Sequence, residues 1–217
     1  MSDTQIDATP KGDASVKADK PSETREFMVF LAKLAIFVFM AFYYRVFGVV
    51  ADLVLLANVV LLAALLSGVQ PGMSVADICA GAGGKTLALA AMMRNEGRLV
   101  AHDLDRFRLR PIFERLTRAG VTNCEVISAQ DKGKLDAAGP FDCVVIDAPC
   151  SGSGSWRRKP DAKWRLTPKQ FAQRIKDQAQ VLEKGFQLAK PGGTVLYITC
   201  SVLPEENTEQ VAAFLSA

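Results

Sequence analysis

The sequence predicts a doubly wound α/β fold with a parallel sheet over the stretch that begins near Gly68. Two observations carry this prediction. Short apolar runs typical of buried strands alternate with longer segments of helical pattern, and a glycine-rich loop follows the first of these strands. Alternation of this kind places consecutive strands in parallel, with helices covering both faces of the sheet.

Five strands and four helices are predicted in this stretch. The strands are expected at residues 74–79, 98–103, 124–128, 143–147 and 194–199. The helices are expected at residues 85–93, 107–119, 167–188 and 204–215. The third helix has the clearest start, because Thr167 and Pro168 supply an N-cap and a first-turn proline.

Two segments of different character precede this domain, which we place at residues 67–217. Residues 1–26 are rich in Asp, Lys, Ser, Thr and Pro, a composition that predicts a disordered polar tail. Residues 27–66 are almost continuously apolar and are predicted to be helical. As one helix they would be roughly 60 Å long, about twice the hydrocarbon thickness of a bilayer. Only Arg45 and Gly48 stand where a hairpin of two helices would turn. The sequence therefore leaves open whether residues 27–66 form membrane helices.

Composition argues against several kinds of site. The chain has five cysteines, no C-x-x-C pair and a single histidine, which is unfavourable for a disulfide framework or a zinc site. We therefore expect no metal and a reducing compartment. No secretory signal is evident, which favours a cytoplasmic location, with tethering to the inner membrane left open. The net charge of +3 is too small to demand a nucleic-acid partner by itself.

A glycine-rich loop, DICAGAGGK, occupies residues 77–85 after the first predicted strand. Glycines let the backbone approach a ligand closely, and the next helix presents free N–H groups there. A phosphate-binding loop is excluded, because its spacing requires glycine at the position of Cys79. The loop predicts a nucleotide-like cofactor, and a tight turn without a ligand is the alternative.

Two aspartates follow the next strands. Asp103 ends the second strand, where an acid in nucleotide-binding sheets accepts hydrogen bonds from ribose hydroxyls. Asp131 lies just beyond the third strand, at the place of a residue that would contact the adenine. From its spacing alone, Asp131 is almost equally well interpreted as a solvated turn residue.

Two cysteines follow the last two predicted strands. Cys150 lies in the segment DAPCSGSG after the fourth strand, and Cys200 lies in YITCS after the fifth. Because active sites form at the carboxyl edge of such sheets, we expect both thiols in one crevice. A buried structural cysteine is the usual alternative, and it is the better interpretation of Cys124 and Cys143.

The densest basic patch directly follows the first cysteine loop, with tryptophans interleaved. Phosphate contacts and base stacking with RNA are the functional interpretation, and a solvated basic loop is the alternative. The residues assigned to RNA binding are Arg157, Arg158, Lys159, Lys163 and Trp164.

Four segments together resemble the ordered motifs of the Sun/RsmB-type (NOP/Sun) RNA cytosine-5 methyltransferases. They are DICAGAGGKT, AHDLD, VVIDAPCSGSGSWRRKPDAKW and YITCSVLPEEN, and the resemblance covers about residues 61–217. It implies a Rossmann-like class I methyltransferase core that uses S-adenosyl-L-methionine. It also implies methylation of carbon 5 of cytosine in RNA, either rRNA or tRNA.

The resemblance also implies roles for individual residues. Cys200 would be the nucleophile that adds to carbon 6 of the base, Asp147 would hydrogen-bond the base edge, and Cys150 would assist breakdown of the adduct. The cofactor would be bound by Cys79, Ala80, Gly81, Ala82, Gly83, Gly84, Lys85, Asp103, Asp131 and Asp147.

The chain departs from this family at both ends. The hydrophobic segment stands where the family carries RNA-binding sequence. Residues 25–38 weakly resemble the membrane segment of a type I signal peptidase, and residues 39–66 weakly resemble a membrane helix of SecD, which suggests a fused or recombined N-terminus. The chain stops at Ala217, before the family's further strands, so we expect a C-terminally truncated domain with an open sheet edge.

Two other functional hypotheses remain open from the sequence. The nucleophile could be Cys150, as the Pro-Cys of DNA cytosine methyltransferases would suggest. Alternatively, the chain could be an inactive, membrane-tethered fragment of a methyltransferase.

Overall fold

A computed structural model describes residues 60–216 of the chain. The predicted polar tail and residues 27–59 of the predicted hydrophobic segment lie outside these described residues. Residues 60–66 are helical, and Ala63 and Ala64 within them are buried. Within residues 60–216, no helix combines the length and the apolar character needed to span a bilayer.

The described residues contain one parallel sheet of five strands in the order β3-β2-β1-β4-β5. This topology confirms the predicted doubly wound α/β fold. The strand order reverses between the neighbouring strands β1 and β4, so a crevice opens at their carboxyl ends. The strands are β1 (Ser74–Asp77), β2 (Arg98–Asp103), β3 (Cys124–Ser128), β4 (Phe141–Asp147) and β5 (Ala189–Ile198).

Helices connect these strands in the described part. Short 3₁₀ helices at Ser153–Ser155 and Pro204–Glu206 follow β4 and β5. The α-helices after β1 are α1 (Gly84–Met92), α2 (Arg106–Leu109), α3 (Ile112–Arg118), α4 (Lys134–Ala138), α5 (Pro160–Arg165), α6 (Pro168–Leu188) and α7 (Thr208–Leu215).

The core lies on both faces of the sheet, because successive side chains of a strand point to opposite faces. In β4, Val144 and Ile146 join one apolar cluster with Leu182 of α6. Val145 joins a second cluster with Leu89 of α1. Both faces of the central strands are therefore covered, which leaves their carboxyl ends as the place for polar side chains.

Two predicted helices are interrupted, which corrects the sequence-based boundaries. The predicted helix at residues 107–119 is split into α2 and α3, because Pro111 has no N–H to donate within a continuous helix. The predicted helix at residues 204–215 begins as a 3₁₀ turn. Asn207 then leaves the helical conformation, and its side chain donates to the carbonyl oxygens of Ser201 and Leu203.

Candidate active site

The loop between β1 and α1 forms the floor of the crevice. Gly81 and Gly83 have φ angles of +52° and +83°, in the left-handed region that favours glycine. A Cβ on Gly83 would lie 2.5 Å from Cγ1 of Ile112, so a side chain there would displace α3. This loop carries the chain directly into the N-terminus of α1, whose first N–H groups have no helical partner.

Polar contacts join this loop to the ends of the neighbouring strands. Lys85 Nζ lies 2.5 Å from Asp147 Oδ2 at the end of β4. Asp103 accepts from the Gly81 N–H at 2.9 Å. A cavity of about 190 Å³ results, lined by Val60, Asp77, Cys79, Ala80, Gly81, Ala82, Gly84, Lys85, Arg108 and Asp147.

Asp77 is a member of this cavity that sequence reasoning did not single out. It is fully buried, and burial raises the pKa of its carboxyl from the ordinary 3.8 to about 6. Thr86 Oγ1 donates to its Oδ2 at 2.7 Å, whereas its Oδ1 has no hydrogen-bond partner among the described residues. A buried acceptor without a donor suits a ligand that brings a hydroxyl or amino group. The position of Asp77 at the start of the glycine loop was the available signal.

Asp131 lies apart from that cavity. Its Oδ2 accepts from the N–H and the hydroxyl of Ser128, at 3.0 and 2.9 Å, and so holds the turn after β3. Asp131 lines a neighbouring cavity of about 440 Å³ together with Arg106 and Phe107. The turn interpretation accounts for these hydrogen bonds, and contact with an adenine stays a prediction.

Cys150 and Cys200 lie together at the carboxyl ends of β4 and β5, with their sulfur atoms 3.2 Å apart. The hydrogen bond between the two thiols lowers the pKa of Cys200 to about 7, although burial and the charge of Asp147 oppose this effect. The same contact raises the pKa of Cys150. Of the two, Cys200 is therefore the thiol that more readily becomes a thiolate, the nucleophilic form.

The other three cysteines have thiols whose pKa is raised. Burial is the largest cause that raises the pKa of Cys79 and of Cys124 to about 12. Burial likewise raises the pKa of Cys143 to about 11. These groups stay protonated near neutral pH, so their surroundings favour packing over nucleophilic chemistry.

A cavity of about 340 Å³ opens beside Cys150. Sequence reasoning did not single out its wall from α6, because nothing in the sequence shows that α6 passes the cysteine loop. The cavity is lined by Cys150, Ser151, Ala162, Arg165, Leu166, Gln170, Gln173 and Arg174.

The predicted RNA-binding residues lie on α5 and the turn before it. Arg157 and Arg158 lie in that turn, and Lys159 precedes the first residue of α5. Lys163 Nζ lies 5.9 Å from the ring centroid of Trp156 and 5.6 Å from that of Trp164. Trp164 is 81% exposed, which leaves most of its ring available for stacking.

No cluster of three or more His, Cys, Asp or Glu side chains suited to a metal ion occurs among residues 60–216. The only histidine of the chain, His102, is buried with Nδ1 2.8 Å from the Ile127 carbonyl oxygen.

Comparison with known proteins identifies the family. Residues 64–217 match the family model of the 16S rRNA methyltransferase RsmB/F. The chain belongs to this family. A relative from Klebsiella pneumoniae (strain 342), named ribosomal RNA small subunit methyltransferase B, is 37% identical over 149 residues, which are 68% of this chain and 34% of that protein. The chain thus spans about a third of the length of the curated relatives that it matches.

Solved structures show the same architecture. A methyltransferase homologue from Pyrococcus horikoshii is 36% identical, with a TM-score of 0.62 over 72% of this chain and 49% of that one. NSun6 from the same organism, solved with SFG, is 26% identical, with a TM-score of 0.64 over 72% of this chain and 40% of that one. The described domain therefore has the Rossmann-like fold of class I methyltransferases.

Proposed function

We propose that this chain transfers a methyl group from S-adenosyl-L-methionine to carbon 5 of a cytosine in ribosomal RNA. The observation that carries the proposal is the pair of thiols 3.2 Å apart, with the lower pKa at Cys200, at the carboxyl edge of the sheet. Membership of the RsmB/F family and the names of the relatives support ribosomal RNA as the substrate. Such a substrate makes the cytoplasm the expected site of action.

The crevice between β1 and β4 suits the cofactor. Gly81 presents bare backbone there, since a Cβ on it would meet only the side-chain ends of Arg108 and Asp103, at 3.5 and 3.9 Å. Asp103 lies at the strand end expected for a ribose, and Asp77 Oδ1 is a buried acceptor without a donor among residues 60–216. The Pyrococcus NSun6 structure, solved with SFG, supports the choice of cofactor, since SFG is an analogue of S-adenosylmethionine. When bound, the cofactor supplies an electrophilic methyl group. Lys85 holds the Asp147 carboxylate at the same edge of the crevice.

The chemistry requires a nucleophile, because carbon 5 of cytosine is too electron-poor to react with a sulfonium methyl group unaided. The Cys200 thiolate would add to carbon 6, and the π electron pair of the C5–C6 double bond would shift to carbon 5. Carbon 5 would then take the methyl group as its bond to the sulfonium sulfur breaks, with S-adenosylhomocysteine as the leaving group. Loss of the carbon 5 proton to solvent would restore the ring double bond, break the S–C6 bond and return the thiolate. Asp147 is proposed to hydrogen-bond the base edge, and Cys150 to assist the elimination.

The base is proposed to enter through the cavity beside Cys150. This cavity of about 340 Å³ has cationic and amide side chains from α5 and α6, among them Arg165, Gln170 and Arg174. These groups suit the phosphates and polar edges of a single-stranded nucleotide. Arg165 belongs to α5, so the cavity is continuous with the proposed RNA surface around Trp164.

Trapping of the covalent adduct tests the proposal. Wild type, Cys150→Ser and Cys200→Ser are incubated with cytosine-containing small-subunit rRNA and labelled cofactor. Cys150→Ser should accumulate a covalent RNA adduct, because elimination is impaired, and Cys200→Ser should form none. Cys124→Ser is the matched control and should behave as wild type.

Two results would contradict the proposal in different ways. The reverse adduct pattern would assign the nucleophile to Cys150. Neither methylation nor adduct in any variant, with all of them folded, would favour an inactive fragment.

A further inference from the structure

Two polar residues, Gln178 and Glu206, are completely buried beneath the cysteine loops. A buried carboxylate is costly unless hydrogen bonds satisfy it. Glu206 accepts from the Ser151 N–H at 2.7 Å and from Gln178 Nε2 at 2.9 Å, and the Ser151 hydroxyl donates to its second oxygen. Burial alone would raise the pKa of Glu206, but the hydrogen bonds, led by that of Ser151, keep it below its usual value.

The same two residues hold both neighbours of Cys150. Gln178 Nε2 also donates to the carbonyl oxygen of Pro149 at 3.0 Å. Pro149 and Ser151 flank Cys150 directly in the sequence. The backbone on each side of this thiol is therefore tied to one buried pair.

The pair is equally part of the Cys200 loop. Glu206 follows Cys200 on the same connection, and the Tyr197 hydroxyl donates to the Glu206 carbonyl oxygen at 3.0 Å. The two loops are in close contact as well. The Gly154 N–H donates to the Cys200 carbonyl oxygen at 3.0 Å, and a Cβ on Gly154 would lie 2.9 Å from that oxygen. The Glu206 carboxylate thus bridges the two loops that carry the thiols.

We propose that Gln178 and Glu206 are positioning residues that hold the Cys150 thiol against the Cys200 sulfur. Neither side chain lines the cavity beside Cys150, so both act through the loops and not by contact with the substrate. The catalytic meaning of this arrangement rests on the proposed function, in which Cys200 is the nucleophile. If the loops relax, Cys200 loses its hydrogen-bond donor and becomes an ordinary thiol.

The variants Glu206→Gln and Gln178→Leu test this inference in the full chain. Their controls are Glu205→Gln, an exposed neighbouring carboxylate, and Gln210→Leu. Gln210 is also buried, but its side chain donates to the Ile175 carbonyl oxygen of α6. The measurement is the pH dependence of iodoacetamide alkylation at Cys200, without cofactor or RNA, read by mass spectrometry.

The expected result is a higher alkylation midpoint in both test variants, shifted by about one pH unit toward an ordinary thiol near 8.5. The two controls should keep the midpoint of wild type. In methylation assays, kcat should fall roughly 10- to 100-fold with little change in KM for RNA, since misplacement of a reacting group by about 1 Å has effects of this size.

The direction of the shift separates positioning from electrostatics. Loss of the Glu206 charge alone would stabilise the thiolate and lower the midpoint, and Gln178→Leu changes no charge at all. An unchanged or lowered midpoint in both variants would overturn the proposal. If Glu206→Gln does not melt cooperatively, that variant is not folded, and the alkylation midpoint of Gln178→Leu then decides by the same criterion. Wild type that alkylates as expected but methylates no RNA would contradict the proposed function and leave the positioning role supported.

Discussion

At the scale of single residues, Asp77 couples the cofactor crevice to stability. Its folded pKa, raised by burial to about 6, lies above its ordinary 3.8. The folded protein therefore binds this proton more tightly than the unfolded chain does. The stabilising contribution is fully present below about pH 3.8 and is lost as the pH rises through about 6. At neutral pH the ionised, buried carboxylate works against folding, as is common for groups kept for function.

Replacement of the Asp77 carboxyl should separate its effect on stability from its effect on cofactor binding. Asp77→Asn is expected to be more stable than wild type at pH 7, by up to roughly 3 kcal/mol, and to show no such gain at pH 4. Cofactor affinity should fall, because an acceptor at the crevice is weakened. Urea denaturation at both pH values and calorimetric titration with S-adenosyl-L-methionine measure this. Asp161→Asn, at an exposed carboxylate on α5, is the control, and an equal gain there would refute the burial argument.

At the scale of elements, α6 contributes side chains both to the cavity beside Cys150 and to the buried pair beneath the cysteine loops. Its start carries a reciprocal cap, in which Thr167 Oγ1 accepts from the Gln170 N–H at 3.3 Å and Gln170 Oε1 accepts from the Thr167 N–H at 3.0 Å. Further along, the helix supplies Gln173 and Arg174 to the cavity beside Cys150, and Gln178 to the buried pair.

Loss of the cap should therefore affect both stability and the cavity. Thr167→Ala is expected to lower the free energy of unfolding by about 1 kcal/mol, since the first turn loses an acceptor for its N–H. The RNA KM should rise modestly, because fraying of the first turn displaces Gln170, even though the Thr167 N–H that holds its side chain remains. Thermal melting and methylation kinetics check both effects. Thr122→Ala, at an exposed loop position, should stay within about 0.5 kcal/mol of wild type, and a larger loss there would point to a general intolerance of threonine loss.

The sequence predicted the sheet well because local signals define it. The bounds of β2 and β3 agree with the predicted ranges, and the Thr167 cap marks the start of α6 as expected. The short helices α4 and α5 were missed, since five or six residues hold too little periodicity to show a helix. Pro111 was a visible break that the helical pattern around it outweighed.

The residues of the site likewise fall into those that the sequence predicted and those that it could not predict. Cys150 and Cys200 could be placed in one crevice because strand ends of a parallel sheet share an edge. The buried pair of Gln178 and Glu206 could not be found, because its contacts depend on how α6 crosses beneath loops distant in sequence. The sequence around Gln178 does not indicate that this amide in a long amphipathic helix is buried. Only the packed structure shows its two acceptors, the Pro149 carbonyl oxygen and the Glu206 carboxylate.

At the scale of the whole molecule, the proposed RNA surface on α5 adjoins the cavity beside Cys150. The turn before α5 and α5 itself follow the Cys150 loop directly, and Arg165 of α5 lines the cavity beside that cysteine. Lys163 Nζ lies 5.9 and 5.6 Å from the ring centroids of Trp156 and Trp164, so a cationic group and two aromatic groups lie close together on this surface. A single strand could contact this surface while one of its bases enters the cavity.

Salt dependence of RNA binding should resolve the contributions along this surface. Lys159→Ala and Lys163→Ala should each reduce the slope of log affinity against log salt by about 0.7, if each contacts one phosphate of a single strand. Trp164→Ala should weaken binding by about 1–3 kcal/mol and leave the slope unchanged, because stacking releases no counterions. Fluorescence anisotropy over a salt series gives both quantities. Lys132→Ala, at an exposed position beyond β3, serves as the control. A loss of slope there equal to that at Lys159 would show that net charge, and not the surface on α5, binds the RNA.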